Sequence, residues 1–304
     1  MISFSTCWNS GRHSDGEAVI DEILAMGFDT IEVSHGLKVS LIPGIQKAYA
    51  KGRIKVSGVH NFCPSPVEVM IDAPDCYEFT SHRPYDRKRA LDLTLATLDT
   101  AAAFNARYVV LHMGSVPMKR ISPTLEGMLK EGKGDSRKYV RTKIKLLKKR
   151  EKLAPLYVAR ARETLTAIAE KAAEVQVPIA VESRSAFEDV PNEFEMLQLL
   201  EEFADNPWVG YWHDFGHVQR KHNLGLLDHE EWLTAASPHL IGCHLHDVEW
   251  PSRDHRIPLS GEIDFDRLMP LVGPDKPIVW ELSPTRKKSR IKKALPQWIE
   301  RYGS

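Results

Sequence analysis

Six residues whose side chains can bind metal or transfer protons stand at the ends of short apolar, β-branched runs. They are His60, His112, Glu182, Asp214, His246 and Glu281. A carboxylate in such a place is costly to bury unless a cation or a hydrogen-bonding partner accompanies it. Two or three carboxylates with several imidazoles suit one divalent cation: Mn²⁺, Co²⁺, Mg²⁺ or Zn²⁺. Any one of these residues alone is more often structural, so the metal prediction depends on all six lying around one pocket.

The apolar runs that precede these residues are predicted strands. Eight occur, near residues 2–7, 30–34, 54–60, 107–112, 178–182, 208–214, 240–246 and 277–282, with amphipathic helical segments such as 15–26, 87–104, 156–175 and 192–204 between them. Alternating strands and helices form parallel βαβ units, and eight units favour a closed barrel over an open sheet. No G-x-G-x-x-G follows the first strand, which argues against a dinucleotide-binding fold. We therefore expect an α/β chain that is a single-domain (β/α)8 TIM barrel over residues 1–304.

A barrel places the C-terminal ends of its strands around one mouth, where active sites lie. The seventh strand offers two candidate ligands there, because His244 and His246 are two residues apart and point to the same face. The later residue lies nearer the mouth. We therefore expect His246 to bind the metal, with His244 packing below it or hydrogen-bonding to the ligands.

Composition limits the classes of function. The 304 residues contain 41 Lys and Arg and 41 Asp and Glu, and this zero net charge argues against a dedicated nucleic-acid binder. No apolar run approaches the roughly 18 residues of a membrane helix, so we expect no membrane partner. The N-terminus lacks a secretion signal and the four cysteines show no C-x-x-C spacing. Both features predict a cytoplasmic protein with reduced thiols.

Two basic segments interrupt this neutral pattern. Residues 119–152, after the fourth strand, contain 13 basic and 4 acidic residues and form an insertion into the barrel. They could form a solvated charged helix or a basic lid that attracts an anionic substrate. Residues 286–293 read RKKSRIKK and fit the exposed start of the last helix.

Six motifs in order give the sequence a family resemblance. They are VHNF at 59–62, LHMGS at 111–115, VES at 181–183, HDFGH at 213–217, HLHD at 244–247 and DHRIPLSGEIDF at 254–265. In this order they resemble the xylose isomerase-like TIM barrel superfamily, which includes sugar isomerases, ketose 3-epimerases and endonuclease IV-type DNA-repair enzymes. The resemblance runs from residue 26 to residue 284.

The resemblance implies a metal-dependent isomerase or epimerase of a sugar or sugar phosphate. It implies one divalent cation held by Glu182, Asp214, His246 and Glu281, and an enediolate that the metal stabilises while Glu182 and Glu281 act as acid and base. Substrate-binding roles are implied for His217, which matches D-x-x-H, for Glu188, six residues after Glu182, and for Arg253. The substrate would be a small polyhydroxylated carbonyl compound, with or without a phosphate. Members of the superfamily are often dimers or tetramers, so a homo-oligomer is also implied.

Other functions stay open on the sequence. An endonuclease IV-like nuclease would use His60, His112 and His217 as further zinc ligands, and a second metal near His60 and His112 would fit that arrangement. Against it, when the chain is aligned on His255, Arg253 stands where that type has an aspartate, and a cation repels a metal ion. The sugar-active branch has a G-x-G-x-x-D turn that is altered here. The sequence is also compatible with a sugar-acid dehydratase or lyase, or with a binding protein that has the same barrel fold.

Two aromatic residues are candidates for the pocket wall. Sugar-binding sites place aromatic rings against the apolar faces of a substrate, and Trp8 and Phe62 follow the first and third strands. The alternative for Trp8 is a position in the core. Both residues are included among the expected substrate contacts, together with His60 and His112.

Overall fold

The computed structural model describes residues 1–69 and 74–303, and its centre is a closed parallel barrel of eight strands. The barrel strands are β1 (Ile2–Ser5), β2 (Thr30–Val33), β3 (Lys55–His60), β4 (Val109–Leu111), β5 (Ile179–Glu182), β6 (Val209–Asp214), β7 (Leu240–Leu245) and β8 (Ile278–Trp280). They follow one another around the barrel in chain order. The ring closes where Ser3 of β1 pairs with Val279 of β8. The predicted α/β (β/α)8 barrel is confirmed.

Within residues 1–69 and 74–303, ten α-helices surround the barrel. They are α1 (Gly16–Leu24), α2 (Ile42–Ala50), α3 (Pro84–Ala103), α4 (Ser122–Lys130), α5 (Arg137–Val175), α6 (Glu193–Glu202), α7 (Phe215–Asn223), α8 (His229–Ala236), α9 (Phe265–Val272) and α10 (Lys288–Tyr302). Short 3₁₀ segments cover Thr6–Trp8, Ser10–Arg12, Val39–Leu41 and Ser237–His239. Asp15 and Asn192 cap α1 and α6 with their side chains, and Asn192 forms a capping box with Glu195.

In the described part of the chain, two antiparallel strand pairs lie outside the barrel. Gly114–Ser115 pairs with Asp189–Val190, and Asp247–Glu249 pairs with Arg253–Arg256. The second pair directly follows β7, so it stands beside the mouth of the barrel. Within the part of the chain that the structure describes, no helix is both long and apolar enough to cross a membrane.

The interior of the barrel is apolar below and polar at the mouth. Tyr108, Val110, Ala180, Trp212 and Val279 form a buried cluster inside the ring. Glycines make room for the two large rings, since a Cβ at Gly58 would lie 2.1 Å from the ring of Tyr108 and one at Gly242 would lie 2.5 Å from Trp212. Because side chains alternate along a strand, the residue two positions after Trp212 also points inward. That residue is Asp214, and it lies at the mouth.

The basic segment 119–152 forms α4 and the first part of α5. Its apolar residues build a small separate cluster that includes Ile121, Leu125, Met128, Tyr139 and Leu146, and this cluster packs on Leu224. Arg150 is buried and binds both carboxylate oxygens of Glu195, at 2.5 and 2.7 Å. Most of the other cations of the segment are exposed.

Candidate active site

Three carboxylates and one imidazole from the last four barrel strands meet at the mouth. They are Glu182, Asp214, His244 and Glu281, here named the carboxylate–histidine cluster, and one ligand atom of each lies within 4.8 Å of the others. His244 Nδ1 is 3.2 Å from Glu182 Oε1, 3.5 Å from Glu281 Oε2 and 3.8 Å from Asp214 Oδ2. Ligands of a tetrahedral metal at ~2.1 Å are separated from one another by roughly 3.4 Å. All four residues are buried, and their spacing suits a single cation.

The structure brings together three of the four expected metal ligands, and His244 occupies the fourth position. His244 Nε2 lies 3.2 Å from Glu32 Oε1. A metal-bound histidine normally donates its second ring N–H to a carboxylate in this way. His246 is arranged differently, because its Nδ1 accepts the backbone N–H of His255 at 2.9 Å. Its Nε2 faces Asp214 at 3.0 Å, so both ring nitrogens of His246 already contact protein groups.

His246 belongs instead to a second group with His217 and His255, whose ring nitrogens lie within 4.8 Å of one another. His217 Nδ1 donates to the carbonyl oxygen of Ser183 at 3.1 Å. Asp214 is also the N-cap residue of α7, and its side chain accepts the backbone N–H of His217 at 2.7 Å. The D-x-x-H spacing therefore places His217 in the first turn of α7, beside the carboxylate–histidine cluster.

The carboxylates of the cluster are kept ionised. Burial raises the pKa of Glu182, but the charges of His112 and His244 and their hydrogen bonds outweigh it and hold that pKa well below its usual range. The pKa of Glu281 is likewise lowered, since His244, His255 and His35 outweigh burial. The reverse holds for His244, whose pKa is raised well above its usual range by Glu281, Glu32 and Glu182 despite burial. The cluster is therefore an anionic site that selects a cation.

His60 and His112 hold Glu182 from the other side. His112 Nε2 lies 2.6 Å from Glu182 Oε2, and His60 Nε2 lies 3.3 Å from the same oxygen. His60 also forms candidate metal-binding groups, one with Glu182 and His244 and another with His35 and Glu281. Both predicted histidines thus lie at the mouth, in contact with the cluster.

Several residues of the site were not singled out from the sequence. Arg184 binds Asp75 at 2.6 Å, and Asp75 also lies 2.8 Å from His112 Nδ1. Glu32 could have been identified from the sequence, because it is a carboxylate within the buried strand β2, whose sequence is TIEV. Asp75 stands in an irregular segment with no periodic pattern, so nothing in the sequence pointed to it.

A cavity of about 320 Å³ opens above these residues. Five of the predicted site residues line it, namely His60, His112, Glu182, His217 and Glu281. Arg184, Arg220 and His255 also face it. Among the described residues, those that line this cavity include none from 119–152. The geometry therefore favours a solvated helix over a lid for the basic segment.

Four predicted substrate contacts lie outside this cavity. Glu188 is buried and accepts the backbone N–H of Ser122 at 3.0 Å and its hydroxyl at 2.5 Å, so its carboxylate holds the start of α4. Trp8 donates a hydrogen bond from Nε1 to the carbonyl oxygen of Arg286 at 3.0 Å. Both Trp8 and Phe62 pack in the hydrophobic core. Arg253 is 63% exposed and lines a neighbouring cavity. Spacing along the chain could not reveal that α4 uses Glu188 to satisfy its first N–H groups.

The protein is thus a closed (β/α)8 barrel with a cluster at its C-terminal mouth whose residues could hold a metal ion. Residues 20–302 match the family model described as xylose isomerase-like TIM barrel, and the chain belongs to this family. No curated protein matches the chain significantly.

Solved structures of similar fold include sugar epimerases. A D-tagatose 3-epimerase-like protein is 18% identical, with a TM-score of 0.68 over 98% of this chain and 97% of its own. A D-allulose 3-epimerase from Methylomonas sp. in complex with D-allulose is 12% identical, with a TM-score of 0.68 over 99% and 96% of the two chains. An IolI protein with a bound zinc atom is 15% identical, with a TM-score of 0.67 over 98% and 96%. At these identities the similarity establishes the fold.

Proposed function

We propose that this protein is a divalent-metal-dependent isomerase or epimerase of a ketose-type sugar. The observation that carries the proposal is the carboxylate–histidine cluster, which offers three carboxylate oxygens and one imidazole nitrogen at the mouth of the barrel. The sugar epimerases among the structural neighbours support the substrate class.

The donor set fits a resident divalent cation. Glu182, Asp214 and Glu281 are buried together, and one oxygen of each lies within 4.8 Å of the others. Three like charges at that spacing are costly to bury without a counter-ion, and a cation removes that cost. Glu182, Asp214, His244 and Glu281 would hold Mn²⁺, Co²⁺, Mg²⁺ or Zn²⁺. When bound, the ion supplies a Lewis acid that stabilises negative charge on the carbonyl oxygen of the substrate.

Proton transfer is assigned to the two glutamates. Glu281 lines the cavity and is assigned as the base that removes the proton next to the carbonyl. Glu182 approaches from β5, with two strands between it and β8, so it faces the substrate from another side. It would deliver to the opposite face a proton that it first takes up from solvent, while His112 and His244 hold its carboxylate in place. His217 would hydrogen-bond to a substrate hydroxyl through Nε2.

A metal-dependent phosphodiesterase of the endonuclease IV type is the second candidate. The observation that favours it is the group of His217, His246 and His255, which adds a second set of donors beside the first. His246 would have to give up its bond from the His255 backbone to serve as a ligand there. A sugar-acid dehydratase or lyase would use the same two glutamates and would be recognised by its product.

Metal analysis and a substrate screen test the proposal. The purified protein is expected to contain about one divalent ion per chain. With that metal it should interconvert ketoses or ketose phosphates and incorporate solvent deuterium at the reacting carbon. Turnover without deuterium uptake would contradict the two-glutamate mechanism and indicate a hydride shift. Cleavage of an abasic DNA duplex with no activity on any ketose would establish the second candidate instead.

A further inference from the structure

Three arginines stand together beside the barrel mouth, and we name Arg253, Arg256 and Arg286 the arginine rim. Arg253 and Arg256 lie on the second strand of the pair that follows β7, and Arg286 lies between β8 and α10. Arg256 is 3.1 Å and Arg253 is 3.7 Å from the same carboxylate oxygen of Glu249. Within the described residues no ion pair with Arg286 is seen, and its Nη2 donates to Thr285 Oγ1 at 2.7 Å. One carboxylate thus pairs with two of the three guanidinium groups.

Two of these guanidinium groups contain buried donors with no protein partner. The Nε atoms of Arg256 and Arg286 are inaccessible to solvent and have no hydrogen-bond partner among the residues described. An unsatisfied donor on a charged group costs free energy, but an anion from solvent can contact only the outer Nη groups of these side chains. Burial and the like charges of Arg256 and Arg253 also lower the pKa of Arg286, as expected for cations crowded without enough counter-charge.

The start of α10 adds to this excess of positive charge. Lys287 is its N-cap residue and forms no side-chain capping bond, and the first turn contains no acidic residue. Six of the eight residues in 286–293 are Lys or Arg. Cations oppose the positive end of the helix dipole, whereas an anion is stabilised by it. The second basic run of the sequence therefore adds positive charge beside the arginine rim.

The arginine rim is continuous with the candidate active site. Arg253 and Arg286 line a cavity of about 470 Å³, which also contains His35, His255 and Glu281. These last three residues line the active-site cavity as well. One ligand can therefore reach both places, with one end at the carboxylate–histidine cluster and the other at the rim.

We infer that the arginine rim binds the terminal phosphate of a phosphorylated ketose whose carbonyl end lies at the carboxylate–histidine cluster. This inference rests on the proposed function and narrows its substrate class. A phosphate monoester carries close to two negative charges near neutral pH and accepts several hydrogen bonds from guanidinium groups. Three arginines, of which only two are paired with a carboxylate, match a dianion better than the single charge of a sugar acid.

Kinetics on matched substrate pairs test the inference. For a ketose and its terminal phosphate ester, the wild-type protein should show a KM at least tenfold lower for the ester. Arg286→Met should raise the KM of the ester at least tenfold while kcat changes less than about threefold. Arg253→Met, at a more exposed position, should weaken the same preference and guards against misfolding of the first variant. Arg141→Met makes the same change on an exposed turn of α5 and should keep the wild-type preference.

Binding of inorganic phosphate separates this inference from the proposed function. In ³¹P NMR titrations the metal-loaded wild type and Arg141→Met should bind phosphate saturably, and Arg286→Met should bind at least tenfold more weakly. Arg286-dependent phosphate binding without ketose turnover would support the rim and overturn the proposed function. Ketose turnover with no ester preference, or with a sugar acid preferred over the ester, would overturn the rim and leave the proposed function standing.

Discussion

Two buried polar groups, each containing histidine, lie on opposite faces of strand β6. Asp214 points inward from β6 to the carboxylate–histidine cluster, while its neighbour His213 points outward to the helices. There His213 Nε2 lies 3.0 Å from His229 Nε2, and His229 Nδ1 lies 2.8 Å from Gln219 Oε1. We name His213 and His229 the outer histidine pair. Its hydrogen-bond partners are neutral, including the hydroxyl of Tyr211 at 2.9 Å from His213.

Equal burial shifts the pKa of the histidines in these two groups in opposite directions. Burial lowers the pKa of His213 well below its usual range and that of His229 to about 3, so both rings are neutral. His244 is as deeply buried, but three carboxylates raise its pKa. The partner, and not the depth, decides the direction in which the pKa of a buried histidine shifts. We therefore expect changes in the carboxylate–histidine cluster to affect activity, and changes in the outer histidine pair to affect how stability depends on pH.

The largest expected effect is a loss of kcat on substitution in the carboxylate–histidine cluster. Glu281→Gln keeps an oxygen near the metal site but removes the base, so kcat should fall about 10³- to 10⁴-fold. Substrate Kd and metal content should stay within a few-fold of wild type, as measured by titration and elemental analysis. Glu201→Gln, the same change at an exposed position of α6, is the matched control. A kcat within tenfold of wild type would remove Glu281 from the mechanism.

A smaller effect is expected for the outer pair. The folded-state pKa of His229 is about 3, below the ordinary value of 6.5, so the unfolded chain takes up the proton first as pH falls. This stability is present above pH 6.5 and is lost as pH falls toward 3. Between pH 6.5 and 5, the free energy of unfolding should fall by ~1.5 kcal/mol less in His229→Gln than in the wild type. Urea unfolding of the metal-free proteins measures this difference, and parallel curves would contradict the neutral state of His229.

The smallest effect is expected in the basic segment. Lys145, Lys148 and Lys149 are exposed on α5, and none of them lines the active-site cavity. Replacing all three with Gln should change KM less than twofold at low and at physiological ionic strength. A several-fold rise in KM that salt reproduces in the wild type would restore the lid interpretation.

Periodicity in the sequence predicted the barrel and most of its mouth. Strand ends located His60, His112, Glu182, Asp214 and Glu281, because alternate side chains face inward and the last one lies at the mouth. The same alternation could not separate His244 from His246, since both face inward. Their roles differ because the strand pair after β7 brings the backbone N–H of His255 onto His246.

Contacts between distant segments were beyond the reach of the sequence. The partnership of Glu188 with α4 joins residues more than 60 positions apart, and that of Asp75 with Arg184 joins residues more than 100 apart. The spacing of residues along the chain indicates which side chains end each strand, but it contains no information about contacts between distant loops. Trp8 and Phe62 illustrate the same limit, because an aromatic residue after a strand fits the core as well as a pocket wall.

Metal affinity of two histidine variants tests the central claim most directly. If the cation is held by the carboxylate–histidine cluster, His244→Ala should weaken binding of the native metal at least a hundredfold by isothermal titration. His246→Ala, the same change two residues later on the same face, should weaken it less than tenfold. Glu182→Ala and Asp214→Ala should behave like His244→Ala, with folding checked by circular dichroism. Wild-type affinity in His244→Ala, with loss of the metal in His246→Ala, would contradict the assignment.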